Sequence, residues 1–400
     1  MPFEYVIYYE LNKRGLSGKM EIAEFEEMIE STDITSAGVL KQREKLKGEV
    51  FNELRNAALR TFYEEYREEV KLYKGYILTS SDGSELELPN NNETRGKYGN
   101  SENREDVTRV LVSNSFDLLN HYILSTVIGA EGYSEIKMAE EHQREIAELW
   151  LPFPVIRVLD RGYVSYKDIY YSGLSDEKYV VRLKKTDFRA TIGKMTSKDE
   201  IITIPYEYNR VNYYKNTEPE FYEEMKKNKP DIRARAVKIE LSTGEEEYLL
   251  TNLSGEEVSY EEMKELYNLR WQIEINYHML KESVKIEAIT SSKEDLIKQD
   301  IYSQMLVFNI LQAFAEDARK EIDQSRYKHE MGINMNMAIG FMKKSYILIL
   351  LEEDDDKRGE MIDLLSKKIE KYIVPVRPGR AYPRKRYKKN KYPPNKRKSF

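Results

Sequence analysis

Residues 267–281 read YNLRWQIEINYHMLK, a run without Gly or Pro that predicts a helix. At about 100° per residue, Arg270, Glu274 and Lys281 fall at roughly 300°, 340° and 320° from Tyr267. The phenol, guanidinium, carboxylate and ammonium therefore share one stripe about 60° wide. Leu269, Ile273 and Leu280 border it on one side, Trp271 and Ile275 on the other. An exposed helix face is ordinarily polar across its width, with a single apolar arc opposite. An ionic stripe between two apolar borders is either an internal ion-pair ladder or a site. As a site it would offer cations and a phenol to phosphate oxygens, and a carboxylate to a hard cation. Both borders are expected to pack, with Trp271 in a core rather than stacked on a base.

Two further carboxylates stand where elements change. YILTS and ELELP flank SDGS, so Asp82-Gly83 predicts the turn of a β-hairpin. FPVIRVLD (153–160) predicts a short buried strand ending at Asp160, with Arg161-Gly162 as a turn into the next helix. Taken singly, Asp82 could be only a turn residue and Asp160 only a helix cap. Between them, VTRVLVSNSFDLLNHYILSTVIG predicts two strands and SEIKMAEEHQREIAEL a helix. Strands, a helix, then a buried strand ending in Asp is the order of an RNase H-like core. In that fold the first strand and the strand after the first helix are neighbours, so Asp82 and Asp160 would meet at one sheet edge. Glu274 would then have to pack across them.

The predicted class is α+β: an RNase H-like catalytic core with a β-rich insertion, plus helical N-terminal and C-terminal regions. The expected division is 1–74 helical and DNA-binding, 75–174 the first part of the core, and 175–255 the β-rich insertion. Residues 256–295 carry the core helix with the third carboxylate, 296–376 a helical region, and 377–400 a basic tail. In 1–74, Lys41, Arg43, Lys45 and Lys47 cluster near a Lys-Gly break between two helical segments. That pattern suits a small DNA-binding unit or an ordinary helical hairpin.

Composition narrows the chemistry. The 400 residues suffice for two or three domains and include no cysteine, which excludes disulfides, Cys-type zinc sites and thiol nucleophiles. None of the four histidines has HExxH spacing. No apolar run approaches the ~18 residues of a membrane span, and no signal-peptide pattern opens the chain, so a reducing intracellular compartment is expected. Three carboxylates from two strands and a helix suit a pair of Mg²⁺ ions, which take oxygen ligands. Two such ions about 3.5–4 Å apart serve an in-line displacement at phosphorus without any covalent step on a side chain.

YNLRWQIEINYHMLK resembles the Tyr-x2-Arg-x3-Glu-x6-Lys signature of DDE transposases of the bacterial insertion-sequence-4 family. VLDRGYVS resembles that family's second-Asp motif, and SDGSELELP its first-Asp motif, although Ser81 stands where an apolar residue is common. YLLTNL (248–253) resembles the strand that closes the family's β insertion. The resemblance covers roughly residues 75–285. It implies that Asp82, Asp160 and Glu274 are the catalytic, metal-binding triad for two Mg²⁺, with Mn²⁺ able to substitute. It implies that Tyr267, Arg270 and Lys281 contact the DNA backbone near the cleaved phosphate. It further implies cleavage at terminal inverted repeats, joining of the 3′-hydroxyl to target DNA, a homodimer that synapses two ends, and a bacterial cytoplasm at the nucleoid. Relatives carry a further stretch before the segment resembling FEYVIYYELNKRGLS. A truncated remnant that binds DNA or heterodimerises as an inhibitor is the alternative reading.

Charge is unevenly placed. RPGRAYPRKRYKKNKYPPNKRKSF (377–400) holds eleven of the 64 Lys and Arg and no acidic residue, which leaves the body at net −17 within a chain of net −6. Such a tail suits a polyanion or simply solubilises. Eleven cations bound along DNA release condensed counterions, so deleting 377–400 is expected to flatten the slope of log affinity against log salt. An unchanged slope would leave the tail a solubilising end.

Overall fold

The computed structural model describes residues 2–30, 34–99, 107–240, 245–289 and 291–376. The basic tail lies outside them. The chain forms two compact units. One comprises the described parts of Met1–Ala57, Glu85–Val110 and Tyr277–Phe400, the other Ala58–Ser84 and Leu111–Asn276. The class is mixed α+β, with many helices and one large mixed sheet.

Most of that sheet belongs to the second unit; the last residues of its first strand (85–88) and the first residues of its second (108–110) are counted with the first unit. The sheet's strands are β1 (Ile77–Leu88), β2 (Thr108–Asp117), β3 (Ile123–Ala130), β4 (Val155–Leu159), β5 (Lys178–Arg182), β6 (Asp199–Ile204), β7 (Ile232–Glu240) and β8 (Glu246–Thr251). They lie in the order β3-β2-β1-β4-β5-β8-β7-β6. β1 pairs with β4 in parallel, and β4 with β5 in parallel. β8 lies antiparallel to β5, and β7 and β6 continue antiparallel. β2 and β3 are neighbours joined by only five residues, which permits no parallel crossover.

Both faces of the sheet are covered, and the two-residue period of each strand decides which side chain goes where. Val180, Val237 and Leu249 point to one face, where Met263, Leu266 and Tyr267 of the helix Tyr260–Leu269 pack. Tyr179, Val181, Ala236 and Leu250 point to the other, beneath Ile169 of Tyr166–Leu174 and Phe221 and Met225 of Pro219–Asn228. Strands covered on both faces are mostly apolar, as β4 (VIRVL) and β5 (KYVVR) are, and the cations they do carry are ion-paired, Arg157 with Asp168, Lys178 with Glu257 and Arg182 with Glu247.

The hairpin expected at SDGS does not form: Ile77–Leu88 is one strand with Asp82 and Gly83 in its middle. The local Asp-Gly preference is overridden by long-range pairing of this strand, which lies between β2 and β4 and whose Asp82 carbonyl accepts from Ser113 Oγ of β2. Glycine serves close approach there, since a Cβ at Gly83 would sit 3.1 Å from Leu111 Cδ1.

The first unit is helical. Glu294–Lys320 buries Ile297, Ile301, Met305, Phe308, Leu311 and Ala315 at helical spacing, and Phe3–Asn12, Met335–Leu351 and Asp355–Glu370 pack nearby. A short pair, β9 (Met331–Ile333) and β10 (Ile373–Pro375), closes its end. The break at Lys47-Gly48 separates Ser36–Arg43 from Glu49–Glu65, and Thr35 caps the former by accepting from the Gly38 amide at 3.1 Å. The basic cluster at this break does not all face outward. Arg43 is buried against Glu10 (2.5 Å) and Asp300 (2.8 Å), and Lys47 pairs with Asp295 at 3.0 Å. No helix among the described residues is long and apolar enough to cross a membrane.

Candidate active site

Asp82 and Asp160 are set side by side by strand register. β1 and β4 pair Ile77 with Val155, Leu78 with Ile156 and Thr79 with Arg157, an offset of 78 residues. The pairing ends at Thr79 and Arg157; extended three residues further, the same offset would set Asp82 opposite Asp160. Neighbouring strands run about 4.8 Å apart, so two carboxylates come to one sheet edge. Asp82 Oδ1 accepts from the Gly83 amide at 2.8 Å. Asp160 caps the short turn Arg161–Tyr163, accepting from the Arg161 amide at 2.7 Å, and meets Arg182 Nε of β5 at 3.2 Å. Arg182 is held in turn by Glu247 at 2.8 Å. The capping and the site readings of Asp160 are therefore compatible.

A third carboxylate lies beside these two, and its sequence context carried no signal for it. Glu135 opens the helix Glu135–Ala147. Shielding from water, then repulsion from Asp82 and Asp160, raises its carboxyl above the ordinary range. Gly162 belongs to the same arrangement, because a Cβ there would collide with the Glu135 carboxylate. Tyr163 is buried next to it, and its phenol is pushed up by burial first and by Asp82 and Glu135 after that. The edge is thus strongly acidic, and the donors are all hard oxygens.

The signature run is not one uniform helix. Tyr260–Leu269 ends, and the amides of Arg270, Trp271, Ile273 and Glu274 bond back three residues rather than four. Gln272–Met279 follows, and then a wide π turn, Leu280–Val284. Three-residue bonding tightens the rotation per residue and a π turn loosens it, so a uniform 100° does not describe this run. Tyr267, Arg270 and Glu274 remain together. Arg270 Nη2 lies 3.7 Å from Glu274 Oε1, and its guanidinium is 5.9 Å from the Tyr267 ring. Lys281 sits on the π turn in the other unit and pairs with Glu287 at 3.6 Å.

Only one of the two apolar borders packs. Ile273 and Leu280 are buried, whereas Trp271 is 53% and Ile275 48% exposed. The core placement expected for Trp271 is corrected accordingly: the tightened turn at Arg270–Trp271 leaves the indole on the surface. Tyr267 is only 8% exposed, and its hydroxyl has no hydrogen-bond partner among the described residues. Burial, the Arg270 charge and Asp160 act on that phenol, with burial dominant and the result an upward shift. The Asp160 effect ties the signature helix to the acidic edge.

Among the described residues, no three acidic or histidine side chains are gathered closely enough to chelate one ion. Asp82 and Asp160 are brought together, with Glu135 beside them, and Glu274 is held by Arg270. The donor chemistry nevertheless fits a hard divalent cation, because unbalanced carboxylate repulsion is what such an ion relieves.

The family profile described as Transposase DDE domain matches residues 74–310. Transposase InsG for insertion sequence element IS4, from Escherichia coli (strain K12), is 22% identical over 200 residues, covering 49% of this chain and 41% of that protein. The chain thus matches less than half the length of that relative. The cryo-EM structure of the piggyBac transposase synaptic complex with hairpin DNA superposes with a TM-score of 0.45 at 10% identity, over 94% of this chain and 77% of the other. With more than half of its length matched by the profile, the chain belongs to the DDE transposase family, of the insertion-sequence-4 kind.

Proposed function

We propose that this protein cleaves DNA at the ends of a transposable element and joins the freed 3′-hydroxyl to target DNA. The observation that supports the reading is that Asp82 and Asp160, on the neighbouring parallel strands β1 and β4, both act on the Glu135 carboxylate. In this reading β1–β4 lie in the first part of an RNase H-like core, and residues 175–255, which hold β5–β8, form the insertion ahead of Glu274. Asp82, Asp160 and Glu274 are the residues that would hold two Mg²⁺ or Mn²⁺. When bound, the ions activate a water or 3′-hydroxyl and stabilise the leaving oxyanion.

The chain's own groups do the positioning. Arg270 and Tyr267 grip the DNA backbone near the cleaved phosphate, and Lys281 contacts the backbone as well. Arg270 presents a fork suited to two phosphate oxygens. The Tyr267 hydroxyl, buried without a partner, is a donor suited to a phosphate oxygen. Trp271 and Ile275 of the same run are exposed and could meet the DNA as well. The partners are terminal inverted repeats and target DNA, the assembly a homodimer that synapses two ends, and the setting the bacterial nucleoid.

The test is an assay of the purified full chain on DNA bearing the element's own ends, with Mg²⁺ and a plasmid target. Nicked ends and joined products are expected. Intact ends, with Mg²⁺ and with Mn²⁺, would overturn the reading.

The clamp makes its own prediction. Tyr267→Phe removes a buried hydroxyl that has no internal partner, so Tm is expected to stay level or rise, while end cleavage falls several-fold. Arg270→Ala is expected to cost cleavage about 1–3 kcal/mol, the range for charge-assisted hydrogen bonds. Thermal melting beside cleavage checks both. A large drop in Tm with cleavage per folded molecule unchanged would make the stripe a structural ladder instead.

A further inference from the structure

β2 carries an unusual stretch for a strand inside a core: Ser113, Asn114 and Ser115 are all buried, opposite buried Ser125 and Thr126 of β3. Buried hydroxyls need partners. Thr126 finds Asn114 Oδ1 at 2.8 Å. The two serines find His142, which projects from the helix Glu135–Ala147 and is only 2% exposed. Its Nδ1 lies 2.6 Å from Ser125 Oγ, and its Nε2 lies 2.9 Å from Ser113 Oγ. Ser125 donates to Glu145 Oε2 at 2.6 Å. Ser113 donates to the backbone carbonyl of Asp82 at 3.1 Å.

The direction of this chain follows from counting protons. A carbonyl oxygen can only accept, so the single hydroxyl proton of Ser113 is committed to Asp82. The contact between Ser113 and His142 must then use a proton from the ring, and Nε2–H donates. The helix that carries His142 also carries Glu135, the carboxylate coupled to Asp82 and Asp160. One element thus touches the acidic edge at its first turn and braces β1 at Asp82 from behind two turns later.

We propose that His142 is a positioning residue for Asp82, acting through Ser113 to fix the main chain of β1 where that carboxylate leaves it. The proposal rests on the reading of Asp82 as a metal ligand. A ligand's backbone held by a buried hydrogen-bond chain keeps its orientation, and groups that orient ligands commonly govern affinity 10–100-fold. Ser125 gives its single proton to Glu145, so by the same count Nδ1–H donates to Ser125 Oγ, and the ring plane is fixed through both nitrogens. Nothing in this arrangement requires His142 to touch DNA or the reacting atoms.

Mn²⁺ binding to the full chain, followed by its paramagnetic resonance signal without DNA, is the test, with Tm measured on every variant. Ser113→Ala and His142→Ala are expected to weaken Mn²⁺ binding about tenfold. His142→Gln, whose side-chain amide can still donate to Ser113, should recover most of that loss, which a purely structural role would not produce. Should His142→Ala fail to fold, Ser113→Ala carries the comparison. Tm losses with unchanged Mn²⁺ affinity, or His142→Gln behaving like His142→Ala, would overturn the relay. Asp82→Ala separates the two readings. If it leaves Mn²⁺ binding intact, Asp82 is no ligand and both fall; if it abolishes binding while Ser113→Ala does nothing, only the relay falls. Nitrogen-15 NMR of labelled histidine supplies a readout independent of metal. A proton on Nε2 of His142 supports the relay, and a ring protonated at Nδ1 alone refutes it.

Discussion

Alanine at Asp82, Asp160 or Glu274 is expected to reduce strand cleavage on the order of 10³-fold or more, each alone nearly as much as all three together. In the proposed reading the three act as one ligand set, so loss of one would disrupt what the others hold. Binding to end DNA is expected to persist, because the cations of the signature run remain. The structure adds a second expectation. Burial first, then repulsion from Asp82 and Asp160, raises the Glu135 carboxyl, so removing either aspartate relieves part of that crowding. Asp82→Ala is therefore expected to melt at or above the parent temperature, the pattern of a site that trades stability for function. Asp160→Ala also frees Arg182 of its 3.2 Å partner and is expected to gain less. Glu274→Ala removes the 3.7 Å partner of Arg270 and is expected to be near neutral in Tm. Cleavage, DNA binding and melting measured on the same preparations check all of this. Robust Mg²⁺-dependent nicking by Asp160→Ala would refute the triad.

Arg43→Met is expected to destabilise the helical unit by about 3–5 kcal/mol, the usual penalty for stranding buried charge. Arg43 is enclosed with Glu10, Asp300 and Lys13: Lys13 Nζ lies 2.8 Å from Glu10 and 2.6 Å from Asp300. Gln299 completes the cage, accepting from Arg43 Nε at 3.1 Å and donating to its carbonyl at 2.9 Å. Without the guanidinium, one ammonium faces two buried carboxylates. Burial drives the Glu10 carboxyl up despite Arg43 and Lys13, whereas the two cations outweigh burial at Asp300 and bring it down to about 2. A carboxylate lowered in the folded state lends stability that is present above its unfolded value near 4 and is lost as pH falls through about 2. The Arg43→Met/Asp300→Asn pair should recover part of the loss, because it removes one stranded carboxylate. Chemical denaturation of the single and double variants is the measurement. Additive losses would show that the cage is not coupled.

Much of this molecule could be read from local pattern. The helix at 134–149, the strand ending at Asp160, the pair of strands before that helix and the strands of 175–255 all occur where periodicity predicted them. These elements owe their form to which face is apolar, and that is written in the residue order. The neighbouring placement of the first strand and the strand after the helix was likewise legible, because a short list of topologies fits the element order.

Other features are decided only by contacts distant in sequence. The turn expected at Asp82-Gly83 gives way to a straight strand, since hydrogen bonding to two neighbours outweighs a local preference. The stripe on 267–281 could be computed only for a uniform helix; the tightened turn and the π turn depend on what the two halves pack against. Trp271 is outside and Arg43 inside, the reverse of what an indole and a cation in a basic cluster suggest, because burial belongs to the assembled unit and not to the side chain. Glu135 and His142 carry no mark in their own helix, where one is an ordinary first-turn acid and the other an ordinary polar residue. Each acquires its role when the sheet brings Asp82, Asp160 and Ser113 against that helix, where Coulomb repulsion and hydrogen-bond geometry act over a few ångströms of space and scores of residues of chain.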